Sequence, residues 1–234
     1  MIPTHAIILA GGRGTRLSTE VPGIPKVLAP VNGKPFLHFV IQNCRSVGIT
    51  KFTFALGYQH QLVEDYLKQN FSELDIRIVV ERSALGTGGA IKAVLKQLTE
   101  NSLAVFNGDT IFRIRLDSLA AFHHMSGAEC TIALKSMVSV SRYGEVKLNK
   151  DYSIASFSEK GSDGEGLING GVYIINKRLF EENNNPEIFS FEDDYLGVRY
   201  KERRIYGVKQ SGYFIDIGVP DDYKKVQEEL KDEL

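Results

Sequence analysis

An unbroken apolar run, Ala6 to Ala10, empties into the loop Gly11-Gly12-Arg13-Gly14-Thr15-Arg16. A run without polar alternation reads as a strand buried on both faces, the usual strand of a parallel sheet. Gly11, Gly12 and Gly14 remove Cβ atoms where the backbone must turn sharply and come close to something else. Arg13 and Arg16 present planar, multi-donor cations suited to phosphate. A strand that ends in a glycine loop with bare N–H groups is a phosphate site in the making, although a tight turn with two solvated arginines uses the same residues. The loop is not a dinucleotide fingerprint, because Leu17 stands where the third glycine belongs. It is not a Walker loop either, because no Gly-Lys-Ser/Thr follows.

Strand and helix patterns alternate after this loop. Lys34 to Val47 carries Leu37, Val40, Ile41 and Cys44 at helical spacing and stops at Gly48. Phe52 to Leu56 reads as a strand, Gln59 to Phe71 as a helix, Ile76 to Val80 as a strand, a helix begins at Gly86 or Thr87, and Leu103 to Phe106 is a strand. This order signals a parallel sheet wrapped by crossover helices. Past about residue 127 the strands Cys130–Met137, Gly144–Leu148, Ile154–Glu159 and Gly170–Ile175 follow with few helices between them. Ser190 is placed to cap a short helix, Arg204–Lys209 and Tyr213–Ile217 are late strands, and Pro220 opens a final helix. The expectation is one α/β domain over residues 1–234. Its sheet is mixed and mainly parallel, flanked by helices in the Rossmann-like manner, with a nucleotide-type half to about residue 126 and a more antiparallel, substrate-facing half after it.

With 43% hydrophobic and 24% charged residues, the 234-residue chain has the make-up of an ordinary globular core. A net charge of -1 argues against nucleic acid or an anionic membrane as the main partner. No stretch approaches the ~20 apolar residues of a membrane span, and the N-terminus has no secretory pattern. Cys44 and Cys130 sit in apolar segments as buried thiols, so a reducing, cytoplasmic setting is expected. The terminal Lys-Asp-Glu-Leu reads as the polar end of the last helix.

Several polar groups stand at strand ends, where open parallel sheets collect ligands. Pro25-Lys26 follows the glycine loop, and Asn107-Gly108-Asp109 closes a buried strand. Asp216 lies in the apolar stretch Tyr213-Phe214-Ile215-Asp216-Ile217, where an unpaired carboxylate is costly and a partner is required. A salt bridge would satisfy it, and so would Mg²⁺, which takes one or two carboxylates plus phosphate oxygens. Gly86-Thr87-Gly88-Gly89 is a second glycine loop with Glu81 just upstream, and Tyr143-Gly144, Glu159-Lys160 and Asn169-Gly170-Gly171 lie between later strands.

In their order these motifs, from Leu9-Ala10-Gly11-Gly12-Arg13-Gly14-Thr15-Arg16-Leu17 through Pro25-Lys26 to Asp216-Ile217-Gly218-Val219-Pro220, resemble the sugar-1-phosphate nucleotidyltransferases along nearly the whole chain. Ser141-Arg142-Tyr143-Gly144, Gly166 to Tyr173 and Ser190-Phe191-Glu192 resemble the branch that guanylylates a heptose 1-phosphate; the mannose- and glucose-1-phosphate enzymes are near relatives. The resemblance implies a GT-A-like nucleotidyltransferase fold, GTP or another nucleoside triphosphate with a sugar 1-phosphate as substrates, Mg²⁺ as cofactor, and a product for surface polysaccharide assembly. A homodimer is compatible with it. It also implies roles. Leu9, Ala10, Gly11, Gly12, Arg13, Gly14, Thr15, Gly86, Thr87 and Gly108 would hold the nucleotide, and Arg16 would neutralise pyrophosphate. Lys26 would bridge the reacting oxygens while Asp109 and Asp216 held Mg²⁺. Lys160 would take the sugar phosphate, and Tyr143, Gly144, Glu159 and Asn169 would face the sugar. Glu81 is a candidate guanine reader, because a carboxylate accepts from N1–H and N2–H together. Two departures stand out: Ile24 and Val27 flank Pro25-Lys26 where many members have Lys and Pro, and Val219 precedes Pro220 where many have Thr.

Overall fold

The computed structural model describes residues 1–231 other than 13, 15, 16, 18, 19, 142, 159–163, 203 and 219. The strands are β1 (His5–Ala10), β2 (Pro30–Val31), β3 (Lys34–Pro35), β4 (Lys51–Leu56), β5 (Asp75–Val80), β6 (Ser102–Asn107), β7 (Thr110–Phe112), β8 (Cys130–Met137), β9 (Glu145–Leu148), β10 (Ile154–Ser158), β11 (Gly166–Asn176), β12 (Ile205–Gln210) and β13 (Phe214–Asp216). The helices are α1 (Phe36–Ser46), α2 (His60–Asn70), α3 (Gly86–Leu95), α4 (Leu116–Met125), α5 (Lys177–Glu181), α6 (Gly197–Arg199) and α7 (Pro220–Glu229), with a π-helical turn at Phe191–Leu196.

Nine strands form one sheet. β1 lies between β4 and β6 and pairs parallel with both, and β5 continues the parallel half. β11 then runs antiparallel to β6 and to β8, and β12 returns parallel to β8. The β9–β10 hairpin joins at the start of β11. The sheet is therefore mixed and mainly parallel, as expected.

The unbroken apolar run has its physical reason here. Ala6, Ile8 and Ala10 pack with α1, α2 and α7 on one face, while Ile7 packs with α3 and the π-helical turn on the other. β6 divides in the same way, Ala104 and Phe106 to one face, Leu103 and Val105 to the other. A central strand covered on both faces needs no polar alternation. α1 ends at Gly48, whose φ of +92° is the left-handed turn that stops a helix.

The structure departs from the sequence expectation at several points, among them Lys34-Pro35, which form β3 where the sequence pattern begins a helix. β7 and α4 occupy a stretch to which the sequence pattern assigns nothing. β11 starts at Gly166 rather than Gly170, because a bulge between Asn169 and Tyr173 carries the strand past a break in its pairing, with Gly171 at φ +69°. The short helix capped by Ser190 is a π-turn, its hydroxyl accepting from the Asp193 N–H.

Candidate active site

β1, β6 and the β7/β13 pair deliver the central group. Asp109 follows the end of β6, and β13 pairs antiparallel with β7 so that Asp216 sits opposite Thr110. The Ile217 N–H donates to the Asp109 carbonyl at 3.0 Å, closing the two segments together. Lys26 opens a short 3₁₀ turn behind Pro25. Its Nζ donates to Asp109 Oδ2 at 2.7 Å and lies 3.8 Å from Asp216 Oδ1. The Lys26 side chain is 12% exposed and the two carboxylates about a third, so the pair is screened from water on the lysine side and open on the other. Asp216 Oδ1 also accepts the Gly218 N–H at 2.6 Å, which fixes its rotamer.

Gly14 explains how the first loop reaches this lysine. Its φ is +62°, and a Cβ there would lie 2.6 Å from Lys26 Cβ. Gly108 plays a comparable part: its N–H donates to the Leu9 carbonyl at 2.9 Å, and a Cβ would lie 2.7 Å from that oxygen. Leu9, Ala10, Gly12 and Gly14 line a cavity of about 210 Å³ with Lys26 and Asp109.

A second cavity, about 280 Å³, shares Leu9, Gly12 and Asp109 with the first and adds Gly11, Glu81, Gly86 and Thr87. Glu81 Oε2 accepts the Leu85 N–H at 3.1 Å, and Oε1 lies 3.2 Å from where a Gly11 Cβ would stand. Burial raises the Glu81 carboxyl, and the Leu85 N–H works against that shift. Gly88 must lack a side chain, since a Cβ would run into the Phe189 ring. Thr87 does more than line the cavity: its hydroxyl donates to Glu192 Oε2 at 2.5 Å and accepts from the Phe191 N–H at 2.8 Å.

A third cavity, about 330 Å³, contains Tyr143, Gly144, Asn169 and Asp216 and shares Asn107 with the second. Asn169 is held on both sides of its amide. Its Nδ2 donates to the Tyr173 hydroxyl at 2.8 Å and its Oδ1 accepts the Gly171 N–H at 3.0 Å. Tyr143 stacks edge-on against Phe214 and its hydroxyl reaches Asp222 Oδ2 at 3.4 Å.

The structure thus brings Lys26, Asp109 and Asp216 to one point and ranges the described nucleotide- and sugar-assigned residues on cavities around it, except Gly108, which packs against the Leu9 carbonyl and lines none of them. Arg13, Thr15, Arg16, Glu159 and Lys160 lie outside the described residues. Sequence reasoning passed over Asn107, whose buried Oδ1 has no hydrogen-bond partner among the described residues at the junction of two cavities. It also gave no role to Glu192, which burial raises and the Thr87 hydroxyl restrains. The signal for Glu192 was its place in the Ser190-Phe191-Glu192 stretch, just inside a helix cap.

No group of three or more His, Cys, Asp or Glu is gathered among the described residues. Asp109 and Asp216 nonetheless fit Mg²⁺, which needs only one or two carboxylates when phosphate oxygens complete its shell. No described helix is long and apolar enough to cross a membrane.

The nucleotidyl transferase family matches residues 5–233. The D-glycero-alpha-D-manno-heptose 1-phosphate guanylyltransferase of Aneurinibacillus thermoaerophilus is 42% identical over 97% of this chain and 98% of its own length, and the enzyme of the same name from Campylobacter jejuni is 41% identical over 94% and 96%. The crystal structure of HddC from Yersinia pseudotuberculosis complexed with GMP-PN superposes with a TM-score of 0.87 at 32% identity, covering 97% of this chain and all of that one. On that similarity, with the site laid out as above, the chain belongs to the nucleotidyl transferase family and groups there with the sugar-1-phosphate guanylyltransferases.

Proposed function

We propose that this protein transfers GMP from GTP to D-glycero-α-D-manno-heptose 1-phosphate, yielding GDP-heptose and pyrophosphate for surface polysaccharide assembly in the cytoplasm. The observation that carries the reading is the Lys26 ammonium held between Asp109, on a glycine-lined cavity, and Asp216, on one lined by Tyr143, Gly144 and Asn169. An oxygen of the acceptor phosphate attacks the α-phosphorus in line while the bond to pyrophosphate breaks. Negative charge spreads over the phosphoryl oxygens as this happens, so fixed cations and orientation supply most of the catalysis.

Lys26 is preorganised for that charge by its two carboxylates and by the Gly14 backbone packed on its stem. The bare N–H groups of Gly11 and Gly12 take phosphate oxygens. Glu81, fixed by the Leu85 N–H, accepts from guanine N1–H and N2–H. Asn169 and Tyr143 orient the sugar. Asp109 and Asp216 are the residues that would hold Mg²⁺, which when bound neutralises charge on the triphosphate and the acceptor phosphate.

The test is product mass spectrometry after incubation with a pool of nucleoside triphosphates and heptose, mannose and glucose 1-phosphates. GDP-heptose is the expected main product. GDP-mannose as the main product would replace the acceptor, and a pyrimidine nucleotide sugar would remove the role of Glu81. Glu81→Gln is expected to lower the preference for GTP over other triphosphates by about 10- to 100-fold, since it unpairs one guanine donor.

A further inference from the structure

Beyond the sugar cavity lies a further one of about 420 Å³. The two share Tyr143, Gly144, Asn169 and Glu192, but only the first reaches Asp216. The further cavity therefore continues from the sugar site on the side away from the catalytic acids. Its remaining wall is Phe157, Ser158, Asp193 and Gly197, a set of hydroxyl-binding oxygens beside one aromatic face.

Three features mark this wall as built for a ligand. The first is the π-helical turn Phe191–Leu196, a wide and rare turn concentrated at functional sites, which presents Glu192 and Asp193 to the cavity. The second is its rigidity: Glu192 is clamped by Thr87 at 2.5 Å and by the Tyr173 hydroxyl at 3.3 Å, and Ser190 Oγ accepts the Asp193 N–H at 3.0 Å. The third is Gly197. Its φ is -64°, a helical value open to any residue. A Gly197 Cβ would stand close to the Glu192 carbonyl oxygen, at 3.3 Å, the acceptor of the Gly197 N–H. Gly197 leaves this part of the wall without a side chain.

We infer that this cavity receives the exocyclic polyol arm of the acceptor sugar and selects a heptose phosphate over hexose phosphates. The arm of a heptose carries one more CHOH unit than that of a hexose. Its hydroxyls donate to Glu192 and Asp193 while its C–H edges lie on Phe157. The inference rests on the acceptor proposed above and assigns the selection to particular side chains.

The experiment fills the cavity from two walls, with Gly197→Leu and separately with Ser158→Leu at the exposed end of β10. Two ratios are read for each variant: kcat/KM for heptose 1-phosphate over mannose 1-phosphate, and the corresponding ratio of Kd values by calorimetry with a non-hydrolysable GTP analogue present. Each variant is expected to shift both ratios against heptose by about tenfold. If Gly197→Leu fails to fold, Ser158→Leu decides. Ratios unchanged from the parent overturn the role of the cavity and leave the acceptor standing. A parent enzyme that binds and uses mannose 1-phosphate better than heptose 1-phosphate overturns the acceptor, and the inference with it.

Discussion

Lys26 sits where two carboxylates compete for one ammonium, 2.7 Å from one and 3.8 Å from the other. Such an arrangement holds the cation rigidly. Lys26→Ala is expected to lower pyrophosphate release by about 10²–10³-fold, the usual loss when one preorganised transition-state donor is removed. Continuous phosphate-release assays check this, and a KM for GTP within a few-fold of the parent would separate lost catalysis from lost binding. At Gly88 the expectation concerns stability. A methyl group there meets the Phe189 ring, so Gly88→Ala should cost about 1–3 kcal/mol in denaturant titrations. None of this contact was legible in the sequence, where Gly88 was one member of a glycine run with no stated neighbour.

Among the elements, α4 and β8 are tied by a buried pair. His123 is 2% exposed and its Nδ1 lies 2.9 Å from Thr131 Oγ1. Burial, aided by the neighbouring His124 and the N-terminal amine, brings its pKa down to about 4 from 6.5. Between those values the unfolded chain binds a proton that the folded chain does not, so stability falls as pH drops through this window and is level above it. Urea midpoints measured from pH 8 to pH 4 should show the fall, and His123→Gln, which removes the titration while keeping a polar partner for Thr131, should flatten it. His38, lowered by burial and by Lys34, contributes in the same direction, which is why the single substitution and not the wild-type slope is diagnostic. Glu100, held down to about 2 chiefly by its hydrogen bond to His5, loosens the fold only at still lower pH. The Thr87 hydroxyl is a second tie, joining α3 to the π-helical turn. Thr87→Val leaves the Phe191 N–H and Glu192 without it and should cost about 1–3 kcal/mol.

At the scale of the whole molecule, the cavities along one rim of the sheet share residues in sequence: Asp109 between the first two, Asn107 between the second and third, Glu192 between the third and the distal one. Ligands at this rim bind only the folded chain. GTP at about a hundred times its Kd should therefore add about 2.7 kcal/mol of stability, read as a rise in Tm. Chelation by EDTA should abolish turnover and added Mg²⁺ restore it, as follows if Asp109 and Asp216 hold the ion.

The apolar runs of β1, β4 and β6 and the helical spacing of α1 and α2 were legible because burial on a strand or helix leaves its period in the local sequence. Asp216 was legible as an acid needing a partner, and Asp109 as an acid at the end of a buried strand. The pairing that brings them together was not, because β7, a strand of three residues, carries no period.

The alternation of strand and helix, the buried central strand and the glycine loop at its end are each written in neighbouring residues. Folding in three dimensions settled that Lys26 lies between Asp109 and Asp216 and that Thr87 clamps Glu192. Those contacts join segments far apart in the chain, and their register is set by how the two faces of one sheet pack.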